Sequence, residues 1–320
     1  MCSAGPDVVV IGAGVSGLTT GIRLAEHGMR VLIRTAEMPR DTTSAAAGAM
    51  WDFAYATHPR VPEWSSHTYD VLVDLAGDED AGVRLVAGKE ASRRVVDVPE
   101  WAPRLPGFRV CGPWELPDGF VRGWHCELPV IDMYAYLRYL EKRFFALGGS
   151  MELGRLASLD AALALAPTVV NCAGAGAREL ACDVTVKPIR GQLVAVLNPG
   201  VTEFFAEYTD KLVDMTYLLP QGDVLLLGGS AEHDVADPVP DQAVARRIVE
   251  RCAAIVPAVA DAVVLGNRVG IRPERSTVRL EVEARPRGRL VHNYGHGGSG
   301  VSLSWGCADS VVQMLAAGAG

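Results

Sequence analysis

The stretch "DVVVIGAGVSGLTTGIRLAEHGMRVLIR", residues 7–34, constrains this chain more than any other. A short β-branched run leads into Gly12-Ala13-Gly14-Val15-Ser16-Gly17, a helical segment follows through about Ala25, and a second apolar strand begins near Arg30. Each glycine has a separate task in such a unit. Gly12 allows the tight turn, Gly14 lets a pyrophosphate approach the backbone, and Gly17 lets the helix pack closely on the strand. The helix N-terminus then presents free N–H groups to the phosphates. A glycine triplet alone would fit a turn that binds nothing. Strand, triplet, helix and strand in order point to a dinucleotide.

One position departs from that pattern. The second strand should end in Asp or Glu for the adenosine ribose, but Ile33 is followed by Arg34, with Glu37 three residues later. Arg34 taken alone fits a 2'-phosphate and hence NADP. The next segment, "RDTTSAAAGAMWDF" (Arg40 to Phe53), joins hydroxylated residues to a run of small ones. That composition suits a loop lying flat against a planar cofactor ring, and it suits an ordinary connecting loop almost as well.

At 320 residues, one large or two interleaved domains are expected. Residues 59–128 are rich in Pro and Trp and read as short strands and loops of a separate lobe. "VIDMYAYLRYLEKRFFALGG" (Val130 to Gly149) reads as a helix capped by Asp132 and ended by Gly148. "TVVNCAGAGAREL" then returns the chain to the first lobe. Sheet follows from Val184 to about Arg268, with a helix near Gln242 to Ile255, before "GIRPERSTVRLEVE" and "HNYGHGGSGVSLSWG" re-enter it. The division expected is residues 1–58, 140–184 and 269–320 for the nucleotide lobe and residues 59–139 and 185–268 for the other.

A net charge of -8 disfavours nucleic acid as a partner, and no apolar run is long enough for a membrane span. The N-terminus lacks the basic region of a signal sequence, and "LAAGAG" at the end carries no peroxisomal address. The 7 cysteines are odd in number and scattered, without a Cys-x-x-Cys pair. They read as reduced thiols of a cytoplasmic protein. His292 and His296 have the i, i+4 spacing of a metal pair, but Gly295, Gly297 and Gly298 argue against the continuous helix that would align them, so no metal is expected.

With these residues in place, the chain resembles the D-amino acid oxidase family of FAD-dependent enzymes over most of its length. The resemblance rests on Gly12 to Gly17, "AAGAMW", "VNCAG" (Val170 to Gly174), "RGQ" (Arg190 to Gln192), "GIRPERSTVRLE" (Gly270 to Glu281) and "HNYGHGGSGVSLSWGCA", the last two in tandem being highly specific. It implies an α/β fold: a Rossmann-like FAD-binding domain of the glutathione-reductase type, interleaved with an antiparallel-sheet α+β substrate-binding domain. It also undercuts the NADP reading, because members of the family can carry Arg near the end of the second strand.

The resemblance further implies that FAD is held by Gly12, Ala13, Gly14, Val15, Ser16, Gly17, Arg34, Thr42, Thr43, Gly48, Ala49, Met50, Leu156, Cys172, Ala173, Gly174, Arg272, Gly297, Gly298, Gly300, Val301 and Ser302. The glycine-rich stretch would run beside the isoalloxazine ring and feed a helix whose N-terminus, at Val301 and Ser302, faces the edge that becomes negative on reduction. Arg272 would fork onto the carboxylate of a D-amino acid, Tyr217 would add a second contact to it, and the Gly298 carbonyl would take the amine. The implied reaction converts a neutral D-amino acid and dioxygen to a 2-oxo acid, ammonia and hydrogen peroxide.

Two features depart from the family. Val213 stands where mammalian members carry a lid tyrosine, and Ser299 replaces an aromatic residue, so an active-site cover is not assured. Acidic substrates would need a second cation. "VDMTYLL" and "GGSGVS" offer none; Asp214, if turned inward, would repel such substrates, and Lys211 is the one residue placed to accept them. A glycine- or sarcosine-type flavin amine oxidase is the alternative activity, a redox-inactive nucleotide-binding module the alternative class, and a homodimer the expected assembly.

Overall fold

The first apolar runs become the centre of a parallel sheet. In the computed structural model, which describes residues 5–209 and 211–317, strands β1 (Val8–Ile11), β2 (Val31–Thr35), β3 (Ser150–Leu153), β4 (Thr168–Asn171), β5 (Arg279–Arg285) and β6 (Gly288–Tyr294) form one sheet in the order β5-β6-β4-β1-β2-β3. All neighbours are parallel except β5, which returns antiparallel on β6. Val8, Val9 and Val10 are fully buried, as expected of a strand covered on both faces.

Helix α1 (Val15–Glu26) crosses from β1 to β2. A Cβ on Gly17 would lie 1.9 Å from the Gly12 carbonyl oxygen, and Gly12 itself has φ +101°. Gly12 and Gly17 are therefore required by contact with backbone, while a Cβ on Gly14 would meet the Ser44 hydroxyl at 3.0 Å.

The other residues build a ten-stranded sheet. Its path runs Glu232–His233, Lys187–Leu197, Val224–Gly228, Tyr217–Gln221, Phe204–Glu207, Val83–Ser92, Arg122–Ile131, Ala49–Met50. Val264–Glu274 joins it along Lys187–Leu197, pairing Gly270 with Gly191 and Arg272 with Ile189. The expected antiparallel pattern holds along most of this path, but Phe204–Glu207 runs parallel to Val83–Ser92.

Helix α2 (Val61–Leu75) occupies part of the segment read as strands and loops, and Val61, Trp64, Thr68 and Leu72 are among its buried residues. It packs on the last long helix. Its one proline, Pro62, sits in the first turn, where it costs no hydrogen bond, so the Pro and Trp content of the segment did not mark it as strands and loops. Helix α3 (Met133–Ala146) is capped as expected, Asp132 accepting from the N–H groups of Tyr134 and Ala135. It is continuous across 139/140, and Val264–Glu274 is continuous across 268/269, so both expected boundaries fall inside single elements. Helix α4 (Gln242–Ala253) backs the larger sheet, and α5 (Gly300–Ala317) runs beside α1 and α2.

Candidate active site

The ends of β1 and β4, the N-termini of α1 and α5 and the loop after β2 surround a cavity of about 1010 Å³. That is at the upper end of ligand sites, which run about 300–1,000 Å³. No side chain caps α1, and Gly14, Val15 and Ser16 at its start line the cavity. Ser44 leans over this turn: its Oγ accepts from Val15 N–H at 3.0 Å. Gly300 and Val301, which open α5, line the cavity as well. Two helix N-termini thus converge on one space, each favouring negative charge in front of it.

The expected residues fall into two sets. Gly12, Ala13, Gly14, Val15, Ser16, Arg34, Thr42, Thr43, Gly48, Leu156, Cys172, Ala173, Gly174, Arg272, Gly297, Gly298, Gly300 and Val301 line the cavity. Gly17, Ala49, Met50, Tyr217 and Ser302 stand behind its wall. Gly17 supports the turn. Ala49 and Met50 pair with Ile131 and Val130, and Ser302 Oγ accepts from Asp52 N–H at 2.9 Å. Arg34 pairs with Glu152 of β3, so its charge is already met by a carboxylate.

Residues not singled out from sequence complete the wall. Glu37, Ser44, Gly154, Gly191, Asn293 and His296 line it. Ser44 was within reach, lying in the hydroxylated run of residues 42–44; Gly191 shows its use only in register with Gly270. Thr43 joins the two lobes, its hydroxyl lying 3.3 Å from both the N–H and the carbonyl oxygen of Ile271.

Arg272 is fixed by that seam. Its guanidinium lies across Gly191, where a Cβ would come within 2.4 Å of Cζ, and its Nη1 donates to the Ser230 carbonyl at 2.9 Å. Tyr217 fits among Gly48, Gly228 and Gly229, and a Cβ on Gly228 would lie 1.9 Å from the ring carbon Cζ. Burial pushes its phenol up to about 12, with the nearby Arg272 charge pulling the other way. Arginine and phenol therefore share one corner, a suitable pair of donors for a carboxylate.

Across the cavity, Gly298 carries the Tyr55 ring and Leu212: a Cβ there would lie 3.3 Å from Tyr55 Cδ2 and 3.5 Å from Leu212 Cδ1. The segment from Leu212 to Met215 covers this corner, with Met215 Sδ 2.9 Å from the Tyr55 hydroxyl. Asp214 is turned away, accepting from Ala231 N–H at 2.8 Å and lying 3.6 Å from Arg251. An inward Asp214 is therefore ruled out. Lys211 and Val213 are exposed, and Ser299 is buried.

His292 and His296 have unlike surroundings. His292 on β6 lies 3.0 Å from Glu283, while His296 is buried in the turn before α5, where burial holds its imidazole down to about 4 and so neutral. Among the described residues, no three His, Cys, Asp or Glu side chains are grouped to hold a metal ion. No helix among them is long and apolar enough to cross a membrane.

This geometry fits a dinucleotide-linked flavin. The backbone at Gly12 to Ser16 and the start of α5 line the same cavity as Arg272 and Gly298, with two helix N-termini that favour negative charge. Comparisons with known proteins agree. Residues 7–314 match the family described as FAD dependent oxidoreductase. A D-amino-acid oxidase of Rubrobacter xylanophilus is 44% identical over 313 residues, 97% of this chain and 95% of the relative. One of Streptomyces coelicolor is 45% identical over 313 residues, 96% of each. Among solved structures, glycine oxidase from Geobacillus kaustophilus superposes with a TM-score of 0.79 at 19% identity, covering 98% of this chain and 95% of that one. The last is a likeness of fold.

Proposed function

The chain belongs to the FAD-dependent oxidoreductase family, and from that premise we propose that it catalyses the oxidative deamination of D-amino acids. The observation that carries the reading is the corner where Arg272 and Tyr217 meet, facing Gly298 across the cavity, together with relatives of that activity over nearly the whole chain. Bound FAD supplies the acceptor for hydride from the substrate Cα and is reoxidised by dioxygen, with hydrogen peroxide as the second product.

The protein binds and orients. Ala13, Gly14 and Ser16 would offer backbone N–H groups to the phosphates, while Gly12 and Val15 shape the turn, their N–H groups donating to the Arg34 carbonyl at 2.8 Å and to Ser44 Oγ at 3.0 Å. Arg34, Thr42, Thr43, Gly48, Leu156, Cys172, Ala173 and Gly174, with Gly297, Gly300 and Val301, line the cavity and would hold the rest of the cofactor. Gly17, Ala49, Met50 and Ser302 support these contacts from behind. Arg272 makes two parallel hydrogen bonds to the substrate carboxylate, which fixes its rotation as well as its place. Tyr217 donates to the same carboxylate, and the Gly298 carbonyl accepts from the amine. With three points fixed, a single enantiomer turns its Cα–H toward the ring. The released imine hydrolyses to a 2-oxo acid and ammonia.

Besides Arg272, the cation near this corner is Arg251, which lies 3.6 Å from Asp214 and donates to the Gly229 carbonyl at 3.0 Å, so an anionic substrate side chain would be desolvated without a free partner, at a cost of several kcal/mol. Neutral D-amino acids are accordingly taken over D-aspartate and D-glutamate by at least about tenfold in kcat/KM, roughly 1.4 kcal/mol. Steady-state rates with D-methionine, D-aspartate, glycine and sarcosine test this. D-aspartate at or above D-methionine refutes the side-chain reading, and glycine or sarcosine above both would favour the amine-oxidase alternative. If D-aspartate is accepted, Lys211→Ala shows whether Lys211 is the missing cation.

We also propose the two-lobe division given above, with α3 kept whole in the FAD-binding lobe. A cytoplasmic location rests on the six described cysteines, all free, and a homodimer is tested by light scattering on the purified protein.

A further inference from the structure

Arg272 differs from the arginines around it in having no anionic partner. Arg190 on the facing strand pairs with Glu232, Arg275 with Asp183 and Arg251 with Asp214. Among the described residues, the one hydrogen bond of the Arg272 guanidinium is the 2.9 Å contact of Nη1 with the Ser230 carbonyl. A carbonyl dipole orients an arginine and leaves its charge unmatched, whereas a carboxylate would compete with any anion arriving from the cavity. Arg272 and Gly191 both line that cavity.

The neighbouring strands keep Arg272 in this posture. Arg272 stands opposite Ile189 and Gly270 opposite Gly191, so the long side chain leans diagonally over the next position on the same face. Room for it comes from the missing side chain of Gly191, where a Cβ would lie 2.4 Å from Cζ and 2.5 Å from both Nη1 and Nη2. Gly191 has no left-handed φ that would call for glycine in its own right. What an added carbon meets is the far end of a flexible side chain, so Arg272 would be displaced and the strand left in place.

Ser230 is held in turn. Its N–H donates to the Gln192 carbonyl at 3.1 Å, and its hydroxyl accepts from the Gln192 N–H at 3.0 Å. Both residues are buried. The carbonyl that meets Arg272 is thereby fixed to the same strand that carries Gly191.

We infer that Gly191 and Ser230 are positioning residues that hold the Arg272 guanidinium at the cavity wall with its charge uncompensated, Gly191 as the seat beneath it and Ser230 as the neutral anchor at its side. The inference rests on the D-amino acid oxidase reading and deepens it, since it concerns how the carboxylate site is kept open. Both residues act through Arg272.

The test is a double-mutant cycle on the flavin-loaded protein, read as the second-order rate constant of anaerobic flavin bleaching by D-methionine. Gly191→Ala is expected to slow bleaching at least about tenfold while Arg272 is present, and by less than about twofold when added to Arg272→Ala. Ser230→Ala, which removes the acceptor of the Gln192 N–H, is expected to show the same dependence on Arg272 with a loss of about threefold to tenfold. A merely structural role would slow both backgrounds alike. Equal losses with and without Arg272 therefore overturn the inference, as does a Gly191→Ala rate within about threefold of native. Loss of flavin from Gly191→Ala overturns the seat, because the strand would then have yielded in place of the side chain, and the Ser230→Ala cycle decides the anchor by itself. An Arg272→Ala rate close to native, or no bleaching of native protein by any D-amino acid, sinks the reading beneath instead.

Discussion

Around Gly12 and Gly14, with Gly17 behind them, the wall of the cavity is backbone, whereas at Arg272, with Tyr217 behind it, the wall is made of side chains. At Gly12 and Gly17 the geometry leaves no choice of residue, because an added carbon would strike main-chain atoms such as the Cys172 carbonyl oxygen, 2.6 Å from a Cβ on Gly12. In the second region, Arg272 and Tyr217 come from strands far apart in sequence, and what they offer is a side chain and not a backbone path. The cofactor end is thus a condition of the fold, and the substrate end a choice made upon it.

The sharpest way to break this contrast is at Gly17. Gly17→Val is expected to abolish flavin binding, since its Cβ would lie 1.9 Å from a backbone oxygen that cannot yield. The absorbance ratio of flavin to protein in the purified variant checks it, and full occupancy would show that the turn tolerates a side chain. At the substrate end, Arg272→Ala is expected to lower kcat/KM by about two to four decades, roughly 3–5 kcal/mol, while flavin is retained. Arg272→Lys should recover only part, because an ammonium cannot make the planar fork. Turnover of the alanine variant within about threefold of native, less than 1 kcal/mol, would mean that the carboxylate is held elsewhere.

A smaller effect concerns pH. Burial lifts the Glu90 carboxyl from its ordinary 4.5 to about 8. The folded protein then keeps a proton that the unfolded chain releases, so stability falls as pH rises from 4.5 to 8 and levels off above that. Glu90→Gln, which can still accept from Trp124 Nε1 as Glu90 does at 2.7 Å, removes the dependence. Its free energy of unfolding should match native near pH 5 and exceed it at pH 9 by on the order of a few kcal/mol; equal stabilities at pH 9 would mean that Glu90 ionises freely. The smallest change expected is from Ser302→Ala, which leaves Asp52 N–H without its acceptor and costs about 1–3 kcal/mol in denaturant unfolding. No loss would show that water replaces the hydroxyl.

The same contrast explains what the sequence made legible. Gly12 to Gly17, the Asp132 cap and the tandem of Gly270 to Glu281 with His292 to Gly306 are local patterns, and each fixes backbone through neighbours close in the chain. Helix α2 was hidden because its one proline, Pro62, of a type that breaks helices in the interior, sits in its first turn. Gly191 and Ser230 beside Arg272 have no local signature at all. Their roles depend on strand register and on the return of Ser230 to Gln192, which only the folded chain brings together. Asp214 shows the opposite error: it is near Tyr217 in sequence but faces Arg251.

The central claim is that the corner formed by Arg272, Tyr217 and Gly298 presents one enantiomer of an amino acid to a non-covalently held flavin. Anaerobic titration of the purified yellow protein with each enantiomer of methionine, followed by its visible absorbance, tests this most directly. The account predicts bleaching by the D-enantiomer, none by the L-enantiomer, and release of the flavin on acid precipitation. Bleaching by the L-enantiomer, or flavin that stays with the precipitated polypeptide, would contradict it.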